Sequence, residues 1–209
     1  NRWTTAEESF IDLDAWDKCV DVTHHPLLES QGASLYIGLD ASVKRDSTAV
    51  VACTYDHSRQ KVMLACHRIW QPSYSEPLDF DATIGDYLRG LRDKFHIAAV
   101  YYDPYQMHAL AMQLVSEGLP MQEYPQTTAN LTAMGQNLFD LIQHGNLIVY
   151  PDAQLRRQVS QAVAVETPRG WKIAKEKSAH KIDAVVALAM AAFGAVEGRM
   201  HARWYVAVV

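Results

Sequence analysis

Leu35-Tyr36-Ile37-Gly38-Leu39-Asp40 sets a short apolar run against a carboxylate at its end. Further along, Ile97-Ala98-Ala99-Val100-Tyr101-Tyr102-Asp103 repeats the design. Runs of this length and residue type, bounded by turn formers, read as strands. If the two strands are parallel neighbours, their carboxyl ends lie together, at the edge where open α/β sheets form ligand sites. Two carboxylates placed there repel unless something positive lies between them.

A third acid, Asp183, opens a segment that is apolar on nearly every side, Ala184-Val185-Val186-Ala187-Leu188-Ala189-Met190. A helix apolar all round is buried, and an unpaired carboxylate at its edge is costly. Metal coordination relieves that cost. Three acids, two at strand ends and one on a late helix, suit two divalent ions about 4 Å apart. Carboxylate oxygens favour Mg²⁺ or Mn²⁺. Taken singly, each acid also reads as a turn former, a helix cap or a first-turn residue favoured by the helix dipole.

The segments around these acids define the fold. Thr48 to Tyr55 and Lys61 to Trp70 read as two more strands. Short polar turns separate them, so the first three strands form an antiparallel meander. Phe80, Ile84, Tyr87, Leu88, Leu91 and Phe95 then recur at helical spacing. After the strand ending at Asp103, helices are expected over Tyr105 to Glu117, Thr127 to His144, Asp152 to Val165 and Lys181 to Val196. Short strands fall at Met121 to Tyr124 and Leu147 to Tyr150, and Pro168-Arg169-Gly170 reads as a turn or hairpin tip. The sum is an α/β domain: a mixed central sheet, three antiparallel strands followed by parallel ones, with helices on both faces. Residues 1–32 read as a lead-in, either an arm that packs on the domain or a linker from an upstream domain, and 33–209 as the domain proper. The chain opens with Asn1 rather than Met, so a fragment of something longer is expected.

Composition narrows the function. With 49% hydrophobic and 21% charged residues the chain is globular rather than disordered. No apolar run is long enough for a membrane span. The three cysteines, Cys19, Cys53 and Cys66, form no CxxC pair, and buried free thiols in a reducing, intracellular setting are expected. A net charge of −5 argues against tight nucleic-acid binding by charge alone. It leaves room for a nuclease, because metal ions can neutralise acids where they meet phosphate.

Tyr36-Ile37-Gly38-Leu39-Asp40 with Asp46-Ser47-Thr48-Ala49 resembles the first strand and turn of the nuclease domain of phage terminase large subunits. Val100-Tyr101-Tyr102-Asp103 resembles that family's second acidic strand, and Lys181-Ile182-Asp183-Ala184-Val185-Val186-Ala187 its closing helix. The stretch from Asn1-Arg2-Trp3 to Trp16-Asp17-Lys18-Cys19 is similar to the segment that follows the family's ATPase domain. The resemblance implies a ribonuclease H-like fold and two-metal hydrolysis of double-stranded DNA in the host cell cytoplasm, with Asp40, Asp103 and Asp183 as the ligands. It also implies work beside an ATPase domain, a portal ring and a small terminase subunit. The chain carries no GxxxxGK[ST] loop, so the ATPase half lies elsewhere. In isolation a monomer is expected.

Supporting roles are open to two readings. Asp46 is a further acid near the site or a turn residue. His180 is a proton carrier or a solvated histidine before a helix. Arg169, Lys172, Lys175, Lys177 and Lys181, with Trp171, form either a loop that tracks DNA phosphates or a solvated hairpin. Arg156 and Arg157 extend that path or cover a helix face, and Tyr105 borders the DNA groove or caps the core. His24-His25 has no partner at zinc-ligand spacing. Rival functions are a Holliday-junction resolvase or transposase, a sugar-kinase or actin-like ATPase module lacking its second phosphate loop, and a non-catalytic docking module.

Overall fold

The computed structural model describes residues 8–29, 32–41, 47–71, 78–167, 170–175 and 180–206. In chain order the elements are β1 (Glu8–Ser9), α1 (Leu13–Asp17), β2 (Ser34–Asp40), β3 (Thr48–Asp56), β4 (Lys61–Trp70) and α2 (Asp86–Arg92). There follow β5 (His96–Tyr102), α3 (Pro104–Ser116), β6 (Met121–Glu123), α4 (Thr128–Gln143) and β7 (Leu147–Ile148). The chain continues through α5 (Ala153–Ser160), β8 (Ala162–Thr167), β9 (Gly170–Lys175) and α6 (Asp183–Val206).

Six strands form one sheet in the order β6-β5-β2-β3-β4-β7. β2, β3 and β4 are the expected antiparallel meander, while β5 joins β2 and β6 joins β5 in parallel. This is the ribonuclease H-like arrangement, a mixed sheet with helices on both faces. Alternation along β3 divides the core. Ala49, Val51 and Cys53 face α4 and α6, whereas Val50 and Ala52 face α2 and α3. Helix α6 lies between the sheet on one side and α4 and α5 on the other. That explains why Ala184 through Ala192 are all buried and why the segment shows no polar face. No helix among the described residues is long and apolar enough to cross a membrane.

Two features differ from the sequence reading. The helix expected over Asp152 to Val165 ends at Ser160, and Ala162–Thr167 is β8. β8 pairs antiparallel with β9 and with β1, making a second, three-stranded sheet, while Pro168 and Arg169 of the expected turn lie outside the described residues. Val163 and Val165 have the β-branched shape that a pleated surface favours, and pairing overrides a helical period of so few turns. The helix expected from Phe80 starts as a single π turn, Asp81–Gly85, before α2. The described part of the lead-in packs on the domain, as an arm would: Phe10, Ile11, Trp16 and Cys19 join the core, and Phe10 N donates to Ala162 O at 2.9 Å.

The helix ends follow local chemistry. Asp152 and Thr127 cap α5 and α4 through their side chains. Gly118 and Gly145 take positive φ just beyond α3 and α4, a conformation without penalty for glycine. Cys19, Cys53 and Cys66 are free and buried.

Candidate active site at the carboxyl edge of the sheet

β2 and β5 run parallel with Leu39 opposite Tyr102, so Asp40 and Asp103 emerge side by side from the same edge. Asp40 ends β2, and Asp103 caps α3, its Oδ1 accepting from Tyr105 N at 3.0 Å. The cap and the candidate ligand are therefore one residue, with a second carboxylate oxygen left over from the cap.

Asp183 reaches the same edge from above, as the first residue of α6. What brings α6 there is a bare backbone. A Cβ placed on Gly38 would stand 2.0 Å from Ala187 O and 2.9 Å from Met190 Cβ, so α6 rests directly on β2. Ala187 is one helical turn beyond Asp183, and Gly38 is two residues before Asp40. Asp183 is buried, and Ser47 Oγ, itself buried just before β3, donates to its Oδ2.

The electrostatics of Asp40 tie the three acids together. The residue keeps a partial opening to solvent, yet the protein around it removes enough water to push its pKa up to about 8. After desolvation the largest influence is the negative charge of Asp183, with Asp103 adding to it. Gln126, in the loop before α4, donates to Asp40 Oδ1 at 3.1 Å and pulls the other way, as does the charge of Lys175 at the end of β9. The donors are open rather than closed into a cage: among the described residues no three His, Cys, Asp or Glu side chains form a ready-made ion site.

The remaining candidates fall in different places. Asp46, Arg169 and Lys177 lie outside the described residues. His180 is half-buried just ahead of α6, and Lys172, Lys175 and Lys181 are half-buried as well. Lys175 is the basic residue whose charge is felt at Asp40. Trp171 is half-buried, and its ring packs on Phe10 at 5.7 Å and against Gly135. Its carbonyl accepts from Thr132 Oγ1, so the residue joins β9 to α4. Arg156 is likewise engaged, donating through Nε and Nη2 to both carboxylate oxygens of Asp17 at 2.7 Å. Tyr105 is 86% exposed, which excludes the core-capping alternative. His24 Nε2 is 2.7 Å from Leu64 O and serves packing. Sequence reasoning missed Ser47 and Gln126 as partners of the acids. Ser47 was visible within the Asp46-Ser47-Thr48 turn, whereas nothing near Gln126 marks it.

A ribonuclease H-like domain with three acids gathered at the carboxyl edge of its sheet is the class to which these observations lead. The chain matches the family described as terminase large subunit, endonuclease domain, over residues 1–90 and 70–199, and it belongs to that family. A search of the curated proteins finds no significant match. Among solved structures, the HK97 bacteriophage large terminase aligns at 19% identity and a TM-score of 0.75. That alignment covers 90% of this chain and 44% of the phage protein, so the chain spans less than half of that relative. The large terminase nuclease of thermophilic phage G20c with bound magnesium aligns at 16% identity and a TM-score of 0.69, covering 90% of this chain and 98% of that one. The same nuclease has also been solved with bound cobalt, aligning at 17% identity and a TM-score of 0.68 over 90% of this chain and 98% of that one. At these identities the likeness is one of fold.

Proposed function

We propose that the chain is a metal-dependent endonuclease that cleaves double-stranded DNA, the nuclease part of a viral genome-packaging motor. The observation that carries this reading is the convergence of Asp40, Asp103 and Asp183 at one edge of the sheet, close enough for the charges of Asp183 and Asp103 to act on Asp40. Burial and the charge of Asp183 hold the Asp40 carboxyl up to about 8, a state that a bound cation would reverse. The donor set fits the group: carboxylate oxygens are hard ligands suited to Mg²⁺ or Mn²⁺. The fold also aligns with a terminase nuclease solved with magnesium.

In this reading Asp40, Asp103 and Asp183 hold two divalent ions. Bound there, the ions supply Lewis-acid activation of water and stabilise charge on the scissile phosphate. The protein groups do the positioning. Ser47 fixes the Asp183 carboxylate, and Gln126 turns Asp40 toward the shared edge. The α3 cap holds one oxygen of Asp103 and leaves the other for the ion. Lys175, with Lys172 and Lys181, supplies phosphate contacts that position the duplex without reading its sequence. Arg169, Lys177, Asp46 and His180 complete the candidate set. Cutting is then non-specific, with site choice left to the ATPase domain, the small terminase subunit and the portal, in the host cytoplasm. Residues 1–32 are the arm that leads in from the ATPase domain and packs on the nuclease domain, and the isolated chain is a monomer.

The test is plasmid cleavage in Mn²⁺, Mg²⁺ and EDTA, with Asp40→Asn, Asp103→Asn and Asp183→Asn beside the parent. Metal-dependent nicking and linearisation lost in all three variants is the expected result. Cleavage that survives all three substitutions would sink the site assignment. A parent that binds neither ion in calorimetry would instead indicate a docking module that keeps the fold.

A further inference from the structure

Helix α6 begins without a cap from its own stretch of chain. Ile182 O accepts from Val185 N at 2.8 Å and from Val186 N at 3.0 Å, so Ile182 holds the position just before the first helical residue, Asp183. Ser, Thr, Asp and Asn are favoured there, because their side chains accept from the second or third amide of the helix. The aliphatic side chain of Ile182 cannot. The second amide belongs to Ala184, which has no exposed surface, so water does not reach it.

The missing acceptor comes from another helix. Ala184 N donates to Gln158 Oε1 at 2.8 Å, from the last turn of α5. Three residues on, Gln161 Oε1 accepts from Lys181 N at 3.3 Å, so the end of α5 holds the chain on both sides of Asp183. Gln158 is 3% exposed, and a polar side chain is buried at a cost that only its hydrogen bonds offset. The residue next to Ile182 gives this bond a second consequence. Asp is among the strongest cap residues, and Asp183 stands one position further on. Without Gln158 Oε1 the first turn would lose its hold, and a helix shortened by one residue would take Asp183 as its cap. The Asp183 carboxylate would then accept from Val185 N or Val186 N, the second and third amides of the shortened helix. It would leave Ser47 Oγ, which now donates to its Oδ2, and with it the sheet edge.

We propose that Gln158 is a positioning residue for the acidic edge: by capping α6 from α5 it keeps Asp183 from capping its own helix and leaves that carboxylate to the ion site. This role rests on the reading of Asp40, Asp103 and Asp183 as ion ligands. Gln158 acts through Asp183 and touches neither ion nor DNA.

Two variants test it. Gln158→Met keeps the length of the side chain and removes its acceptor. Gln158→Met combined with Ile182→Thr returns an acceptor to the cap position on a β-branched side chain. Calorimetry with Mn²⁺, thermal unfolding and crystal structures are obtained for the parent and both variants. Gln158→Met should bind Mn²⁺ about 10–100-fold more weakly than the parent. Its unfolding midpoint should fall by no more than about 4 °C, because Asp183 takes over the cap. Its crystal structure should show an Asp183 carboxylate oxygen bonded to Val185 N or Val186 N, and no bond to Ser47 Oγ. The double variant should regain most of the Mn²⁺ affinity while losing further stability with the buried methyl, two changes of opposite sign that a merely structural role would not give. Parental Mn²⁺ affinity in a folded Gln158→Met, an Asp183 that keeps its bond to Ser47 there, or a double variant that binds no better than the single would each overturn the assignment. A parent that binds no Mn²⁺ would sink the ion-site reading instead, and the place of Asp183 in the crystal structures would still decide for or against the cap. If Gln158→Met fails to fold, amide hydrogen exchange in the parent decides. An Ala184 N–H as protected as that of Val186 supports the cap, and free exchange at Ala184 overturns it.

Discussion

Replacing Gly38 by alanine tests how the acidic edge is assembled. The new methyl would sit 2.0 Å from Ala187 O and 2.9 Å from both Ala187 C and Met190 Cβ. The obstacle is helix backbone rather than a flexible side-chain tip, so it cannot swing aside. To restore ordinary contact, α6 must lift from β2 by about 1 Å, or the strand must bend. Overpacking of this kind costs about 1–3 kcal/mol. For a chain of 209 residues that corresponds to about 2–12 °C in the unfolding midpoint. The functional cost is distinct. Asp183 begins the helix that lifts, and a misplacement of about 1 Å can reduce catalysis about 100-fold. Gly90→Ala in α2 is the control, since a Cβ there meets nothing within 4 Å and replaces glycine in a helix interior. It should be neutral or stabilising by about 0.5–1 kcal/mol. Thermal denaturation, calorimetry with Mn²⁺ and plasmid cleavage are run on both variants. A Gly38→Ala protein with parental midpoint and parental metal affinity would refute the argument that close approach of α6 sets the site.

Three further predictions follow from charge. Asp40 must release a proton to bind a cation, so metal affinity should climb as pH rises toward about 8, by up to about tenfold per unit for one proton released; a pH-independent affinity between 6 and 8, measured by calorimetry in several buffers, would contradict the burial argument. Burial lowers the His67 pKa despite Asp152 nearby, and its Nδ1 lies 2.6 Å from Tyr150 Oη. Its folded value therefore lies below the unfolded value of about 6.5, and the unfolded state takes up the proton first on acidification. Its stabilising contribution is present above pH ~6.5 and is lost as pH falls from there through the folded pKa. The parent should lose stability in that window more steeply than His67→Gln, as followed by denaturant unfolding. Arg156→Ala removes an exposed ion pair with Asp17 and should leave both the unfolding midpoint and DNA affinity within experimental scatter; a marked loss of DNA binding in a filter assay would return Arg156 to the DNA path.

Much of the sheet was legible because its strands carry their signals locally. Ser34–Asp40, Thr48–Asp56 and Lys61–Trp70 are bounded by polar turns, and their side chains alternate between two cores. The parallel pairing of β2 with β5 was a condition of the sequence reading, and the structure meets it. The second sheet was not legible. β8 follows α5 with Gln161 alone between them, and β1 lies far away in sequence, so its pairing with Val163 and Ala164 leaves no local trace. The contacts of Trp171 were hidden for a related reason. Its neighbours in sequence are basic, but its neighbours in space are Phe10 and Gly135.

The candidate site shows where sequence reasoning gains and loses purchase. Each acid stands where a change of element is written into the chain: the end of a strand, the cap of a helix, the start of a buried helix. Their partners are not so marked, because Ser47 and Gln126 act through distances that only the folded chain fixes. The same holds for Gly38, whose meaning lies in what it lacks. A glycine within a strand usually weakens it. Here its bare backbone admits α6, and α6 delivers the third carboxylate. The position that looks most dispensable for chemistry thus sets the geometry on which the proposed chemistry depends. Substitutions at Gly38 and at the three acids should accordingly differ in kind. The acid variants should lose metal affinity while keeping the fold, because removing one carboxylate from a repelling cluster relieves strain. Gly38→Ala should lose both together.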